Sequence, residues 1–226
     1  MTVHEFALGG KARSWNRFLF DTLDGFAGYH IFIDGDVVLA PGAIEALIAA
    51  LAAEPSAHCA AAMPLNGRSV EQYRAAMKAE HGLFGALYAL RGDFLAQMKA
   101  AGIRLPDDLI GDDGLICAMV KTGLGNESQW DDRRVLPCEE AGFYCETTRL
   151  LSWASLRNQY RRMINYSVRH FQNRIISEIM RGKGPAGLPR MLSGLYQKKM
   201  PELQPRHSLI WWYFDRQALK RMRAAI

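Results

Sequence analysis

The chain has 226 residues, 49% of them hydrophobic, and a net charge of +5 that hides an asymmetry: residues 1–150 carry 13 Lys/Arg against 20 Asp/Glu, and residues 151–226 carry 15 against 3. This fits one sizeable globular domain with an appendage, and it excludes several classes: no apolar run is long enough to span a bilayer, no charged-then-apolar leader opens the sequence, and Cys59, Cys117, Cys138 and Cys145 lack the CxxC spacing of a zinc or disulfide framework. Reduced thiols in a cytoplasm are expected, and the basic C-terminal third calls for an anionic partner, a membrane surface or a diphosphate rather than a nucleic acid, for which no module is recognisable.

Val3 to Leu8 is a candidate short strand. Gly9-Gly10 then opens a helix with Trp15, Phe18, Leu19 and Leu23 on one face. A glycine turn at a helix start can hold phosphate, although this is no Walker A loop, because the first glycine and the Ser/Thr after Lys11 are missing. Ile31-Phe32-Ile33 reads as a buried parallel strand that ends in Asp34-Gly35-Asp36. A helix is expected from Ala43 to Ala53, a buried strand from Cys59 to Met63, a polar helix over 70–80 and another helix from Phe94 to Ala101. Pro106-Asp107-Asp108 marks a turn. Gly111-Asp112-Asp113 precedes a helix from Leu115 to Thr122, where capping explains one carboxylate and leaves the other spare. Gln129 to Glu139 and Phe143 to Thr148 read as strands.

From Trp153 the character changes. Trp153, Leu156, Tyr160, Met163, Ser167 and Phe171 fall at spacings of three and four, the mark of an amphipathic helix, with arginines on its other faces. Gln159, Arg162 and Met163 share one of its faces. Gly182-Lys183-Gly184-Pro185 breaks this helix, and a second covers Pro189 to Lys199. The last segment runs from Leu209-Ile210-Trp211-Trp212 into Arg216, Lys220, Arg221 and Arg223. Interfacial helices combine aromatic and basic residues in this way, and a stripe packed on the domain is the alternative.

Two carboxylates one residue apart at the end of a strand form half a site for a hard divalent cation, which phosphate oxygens and water complete. Ligands of open α/β sheets bind beyond such strand ends. An acidic turn is the simpler reading of the tripeptide alone.

Four segments lie in order: Gly10-Lys11 to Asn16, Asp34-Gly35-Asp36, Gly111-Asp112-Asp113, and Gln159-Tyr160-Arg161-Arg162-Met163. This order, over residues 5–170, resembles the family 2 glycosyltransferases. The resemblance implies a GT-A-like, Rossmann-like α/β fold over 1–150, with a mostly parallel sheet flanked by helices, and a basic helical extension over 151–226. It implies an inverting, metal-dependent transfer of a sugar from a nucleotide-sugar, a UDP-sugar by expectation, to a carbohydrate or lipid-linked acceptor at the inner membrane face. Asp36 would ligate Mg2+ or Mn2+ on the donor diphosphate, and Asp34 would hold the metal or the nucleotide-sugar. Asp113 would be the general base and Asp112 its support. Lys11 would lie near the nucleotide, and Gln159 and Arg162 would contact the diphosphate and the acceptor site. Met163 stands where the family has Trp, which removes a stacking surface for a sugar and favours single transfer over polymer synthesis. The family's first two βα units, with the base pocket, would precede Lys11; their absence from the sequence makes a partner chain or self-association an expectation. Two rivals remain at this point. Ile31 to Leu39 also resembles the first motif of haloacid-dehalogenase-like phosphatases, with Asp34 as nucleophile and Lys99 as the required lysine. The other is a non-catalytic scaffold of the same fold.

Overall fold

The computed structural model describes residues 2–146 and 153–226. Gly10, at φ 133°, turns the chain into α1 (Lys11–Arg17), which widens into a π-turn over Phe18–Thr22 and buries Ala12, Trp15, Asn16 and Leu19. β1 (Tyr29–Ile33) leads through Asp34-Gly35-Asp36 into β2 (Val37–Leu39). Then come α2 (Ala43–Ala53), β3 (Cys59–Pro64), α3 (Val70–Glu80), β4 (Leu87–Arg91), α4 (Gly92–Ala100), α5 (Asp113–Lys121) and β5 (Val135–Cys145). Three further helices follow: α6 (Trp153–Gly182), α7 (Ser193–Lys199) and α8 (Leu209–Arg223).

The sheet runs β1-β4-β3-β5-β2 and is flanked by helices, so the α/β class is as expected. Its expected parallel character is corrected. Only β3–β5 is a parallel pair among the described strands, and β1–β4, β3–β4 and β2–β5 are antiparallel. After β3 the chain returns through α3 to the end of the sheet where β3 stopped, so β4 must run back. A parallel neighbour would need a crossover along the whole sheet. β1 is likewise an edge strand with half-exposed side chains rather than a buried central one.

β1, β3 and β5 still point the same way, with the reversed β4 between β1 and β3, so their carboxyl ends share one rim of the sheet. The chain leaves the sheet at one edge after Ile33 and rejoins it at the other as β2. Asp34-Gly35-Asp36 therefore crosses that rim. β5 bulges near the same rim: its register on β3 jumps between Ala62 and Met63 from Cys138 to Gly142. Leu65 packs against Gly142, where a Cβ would lie 2.5 Å from the Leu65 side chain and would push it aside. The bulge also merges the two strands expected over 129–148 into one, and Thr147 and Thr148 lie outside the described residues. Val3 to Leu8 forms no strand; Val3 is 71% exposed and has no neighbour to pair with. β4 escaped the sequence reading because Gly82 and Gly85 precede a run of Ala and Leu with no strand alternation.

One hydrophobic core joins α1, β4, α4 and α5 to Val168, Phe171 and Ile175 of α6 and to Ala218 and Leu219 of α8. A second core lies between α2 and the other face of the sheet, around Leu47, Leu51 and Phe143. The apolar stripe of α6 is divided: Ser167, Phe171 and Ile175 are buried, whereas Trp153, Leu156 and Tyr160 are exposed. No described helix is long and apolar enough to cross a membrane.

Candidate active site

The loop that carries the second acidic pair is tied down from two sides. From α1, the buried Asn16 donates through Nδ2 to Leu105 O (2.7 Å) and Asp107 Oδ1 (2.9 Å) and accepts from Leu105 N (3.0 Å). From α6, the buried Gln172 accepts from Ile110 N (2.9 Å) and donates to Asp108 O (2.9 Å). Asp108 in turn accepts from Leu192 N and Ser193 N at the start of α7. Gly111 then turns the chain at φ 81°, and Asp112 and Asp113 enter α5.

This loop meets the end of β1 through Lys11. Lys11 Nζ lies 2.7 Å from Asp34 Oδ1, 3.0 Å from Gly85 O and 3.5 Å from Asp112 Oδ1. A Cβ on Gly85 would sit 3.0 Å from Asp113 Cβ and 3.3 Å from Lys11 Nζ, so the glycine permits both acidic motifs to converge. Arg169 of α6 crosses over Gly111 and donates to Asp113 Oδ1 at 2.6 Å; a side chain on Gly111 would collide with it. Gly114 N also donates to Asp113 Oδ1 (2.9 Å), which leaves Oδ2 without a hydrogen bond among the described residues.

Burial pushes the Asp112 carboxyl above its ordinary pKa, against the pull of the Lys11 ammonium. Burial alone would lower Lys11, but Asp112 and Asp34 outweigh it and hold the lysine above its ordinary value. Asp112 Oδ2 is buried without a partner, and so is Tyr88 Oη, close to Trp15 Nε1 but without hydrogen-bonding geometry. Unsatisfied buried polar atoms are expensive, and their collection beneath Lys11 marks a place not arranged for packing alone.

Two clefts open from this centre. One, about 370 Å3, is lined by Lys11, Asp34 and Gly85 and floored by the stacked rings of Trp15, Phe32 and Tyr88, with centroids 5.6 and 4.9 Å apart. The other, about 500 Å3, is lined by Asp113 and Arg169 together with Tyr73, Phe84, Arg68 and Tyr166. Of the residues expected from the sequence, Lys11, Asp34, Asp112 and Asp113 converge. Asp36 is exposed on the turn beyond Asp34. Gln159 and Arg162 are exposed on α6 and Met163 is half-buried; none of them bonds to the four central residues. Arg162 is nonetheless near the rim: burial, Asp36 and Asp34 raise the Cys145 thiol, and Arg162 opposes them. Arg169 and Tyr166 were not expected. Arg162, Tyr166 and Arg169 fall at spacings of four and three, and that periodicity was the available signal.

Among the described residues, no cluster of three or more His, Cys, Asp or Glu side chains is placed to hold a metal ion. Asp34 lines the first cleft, with Oδ1 engaged by Lys11, and Asp36 stands exposed two residues on; carboxylate oxygens of this kind suit a hard divalent cation when a diphosphate and water supply the other ligands. Lys99 does not serve the phosphatase reading. It donates to Leu23 O at 2.7 Å, lies beside the Phe26 ring and pairs with none of the central carboxylates.

No family model and no curated protein matches the chain. Among solved structures it is similar to the mannosyltransferase PcManGT from Pyrobaculum calidifontis in complex with GDP-Man and Mn2+. The TM-score is 0.55 at 17% identity, covering 99% of this chain and 55% of that one. The likeness shows the fold, a GT-A-type α/β architecture. This chain spans about half of that protein's length.

Proposed function

We propose that the chain transfers a sugar from a nucleotide-sugar to a hydroxyl of a carbohydrate or lipid-linked acceptor, in the manner of the family 2 glycosyltransferases. The observation that carries this reading is the convergence of Lys11, Asp34, Asp112 and Asp113 between two clefts. The neighbour's bound GDP-Man and Mn2+ support the same class. Residues 1–150 carry the reacting groups in this reading, and residues 151–226 form the basic helical extension.

The donor lies in the Lys11–Asp34 cleft, with its flat groups against the Trp15–Phe32 floor. Asp36 and Asp34 would hold Mg2+ or Mn2+ with the donor diphosphate; the cation, when bound, neutralises charge on the leaving group. Arg162, exposed and free of ion pairs among the described residues, would contact that diphosphate, and Gln159 and Met163 would contact the acceptor side. The acceptor enters the second cleft. Asp113 takes its proton on Oδ2 while Oδ1 stays fixed by Arg169 and Gly114 N. Asp112 and Lys11 keep the two acidic motifs in register. One base without a second acid suits an inverting displacement.

The test is a titration of the purified chain with UDP- and GDP-sugars, with and without Mn2+, beside Asp36→Ala. Mn2+-dependent binding that the variant loses is expected. A folded chain that binds neither donor under either condition would overturn the reading.

A further inference from the structure

α6 and α8 touch near their N-terminal ends: Tyr160 meets Phe214 (rings 5.6 Å apart) and Tyr213 (Oη to Oη 3.1 Å), and Asn165 accepts from Arg221 (2.7 Å). Both ends present large apolar side chains to solvent: Trp153 is 88% exposed, Leu156 55%, Leu209 86% and Ile210 65%. Scattered exposed apolar residues are ordinary, but apolar clusters at the ends of two helices that touch make a contact surface.

The charge around it is of one sign. Residues 153–177 contain no Asp or Glu, and residues 203–226 contain only Asp215, which is fully buried and clamped by Arg206. Arg157 and Arg161 adjoin Trp153 and Leu156 in one groove, and Arg161, Lys220 and Arg221 line the next. Arg216 stacks over Trp212 at 4.7 Å. The surface thus has an apolar tip and a cationic rim.

We propose that the paired N-terminal ends of α6 and α8 dock on an anionic lipid bilayer. The four apolar side chains enter the acyl boundary and the arginines and lysines meet lipid phosphates. Each rival occupant explains less. Nucleic acid would use the cations but leaves Leu209 and Ile210 without a partner. A second copy would set two carboxylate-free cationic faces against each other. This surface is separate from the carboxylate centre, so the inference stands whether or not the chain transfers sugar.

The test is co-sedimentation of the full chain with phosphatidylcholine vesicles, with and without phosphatidylglycerol, at low and raised salt. Binding that requires phosphatidylglycerol and weakens with salt is expected. Leu209→Ser with Ile210→Ser, and separately Arg161→Glu with Lys220→Glu, should each weaken it by roughly tenfold or more. Thermal melting should not change, because all four side chains are exposed. Failure of the folded wild type to bind the anionic vesicles would overturn the proposal. So would a serine variant that binds vesicles like wild type, tighter binding to duplex nucleic acid, or a dimer that the serine variant dissociates.

Discussion

Asp113 divides its two oxygens between two tasks. Oδ1 is held by Arg169 and Gly114 N, Oδ2 has no hydrogen bond among the described residues, and the residue lines the larger cleft. In the proposed reaction Asp113→Asn keeps the shape and removes the base, so transfer should fall by about 10²–10⁴-fold with donor binding unchanged by calorimetry. Loss of both together would make Asp113 structural. Arg169 acts through Asp113, and Arg169→Met should lower kcat by about 10²-fold while the donor Kd stays. An equal loss in donor affinity would instead place Arg169 on the donor. Lys11 carries a pH prediction. Its pKa is raised in the folded chain, so its stabilising contribution is complete below the ordinary 10.5 and is lost as pH rises through the folded value. The stability difference between wild type and Lys11→Met should shrink from pH 8 to pH 11 in urea melts. A constant difference would mean that the ion pairs contribute nothing. These residues were legible because carboxylates and a lysine carry their chemistry in any context. Arg169 was not, because an arginine on a basic helix looks like its neighbours until a carboxylate stands opposite it.

The elements that position these side chains are helices and one loop. Asn16 belongs to the segment that resembles the glycosyltransferase motif, yet its side chain touches no cleft and instead closes α1 onto residues 105–107. Asn16→Ala would leave the Leu105 amide and carbonyl without their partner. That should cost about 2–4 kcal/mol in chemical denaturation and reduce transfer through displacement of Asp112. Unchanged stability would show that water replaces the side chain. Most helices were bounded correctly from capping and breaking residues: α2 runs from Ala43 to Ala53 as expected, and α3 covers 70–80. Strands fared worse. A helix satisfies its backbone within one segment, whereas β4 exists because β1 and β3 lie on either side of it.

At the scale of the molecule, α6 is shared between core, site and surface. Phe171 and Ile175 pack with α4 and α5 residues, Arg169 reaches Asp113, and Trp153 points to solvent. The expected boundary at 150 falls outside the described residues, and both the core and the Arg169–Asp113 pair join residues from its two sides. Phe171→Ala should cost about 3–5 kcal/mol and move a single cooperative transition in denaturant without splitting it. Two separate transitions in the wild type would show that residues 151–226 fold on their own.

Local chemistry was enough to find the carboxylate pairs, the lysine, the basic extension and nearly every helix, because each depends on residue type and short-range spacing. The folded chain alone decided the strand directions, the meeting of Lys11 with Asp34 and Asp112, and the hold of Arg169 on Asp113. Those pairs join residues 23 to 101 positions apart in the sequence. What brings them together is the burial of one core shared by α1, β4, α5 and α6, which is a property of the whole sheet and its helices.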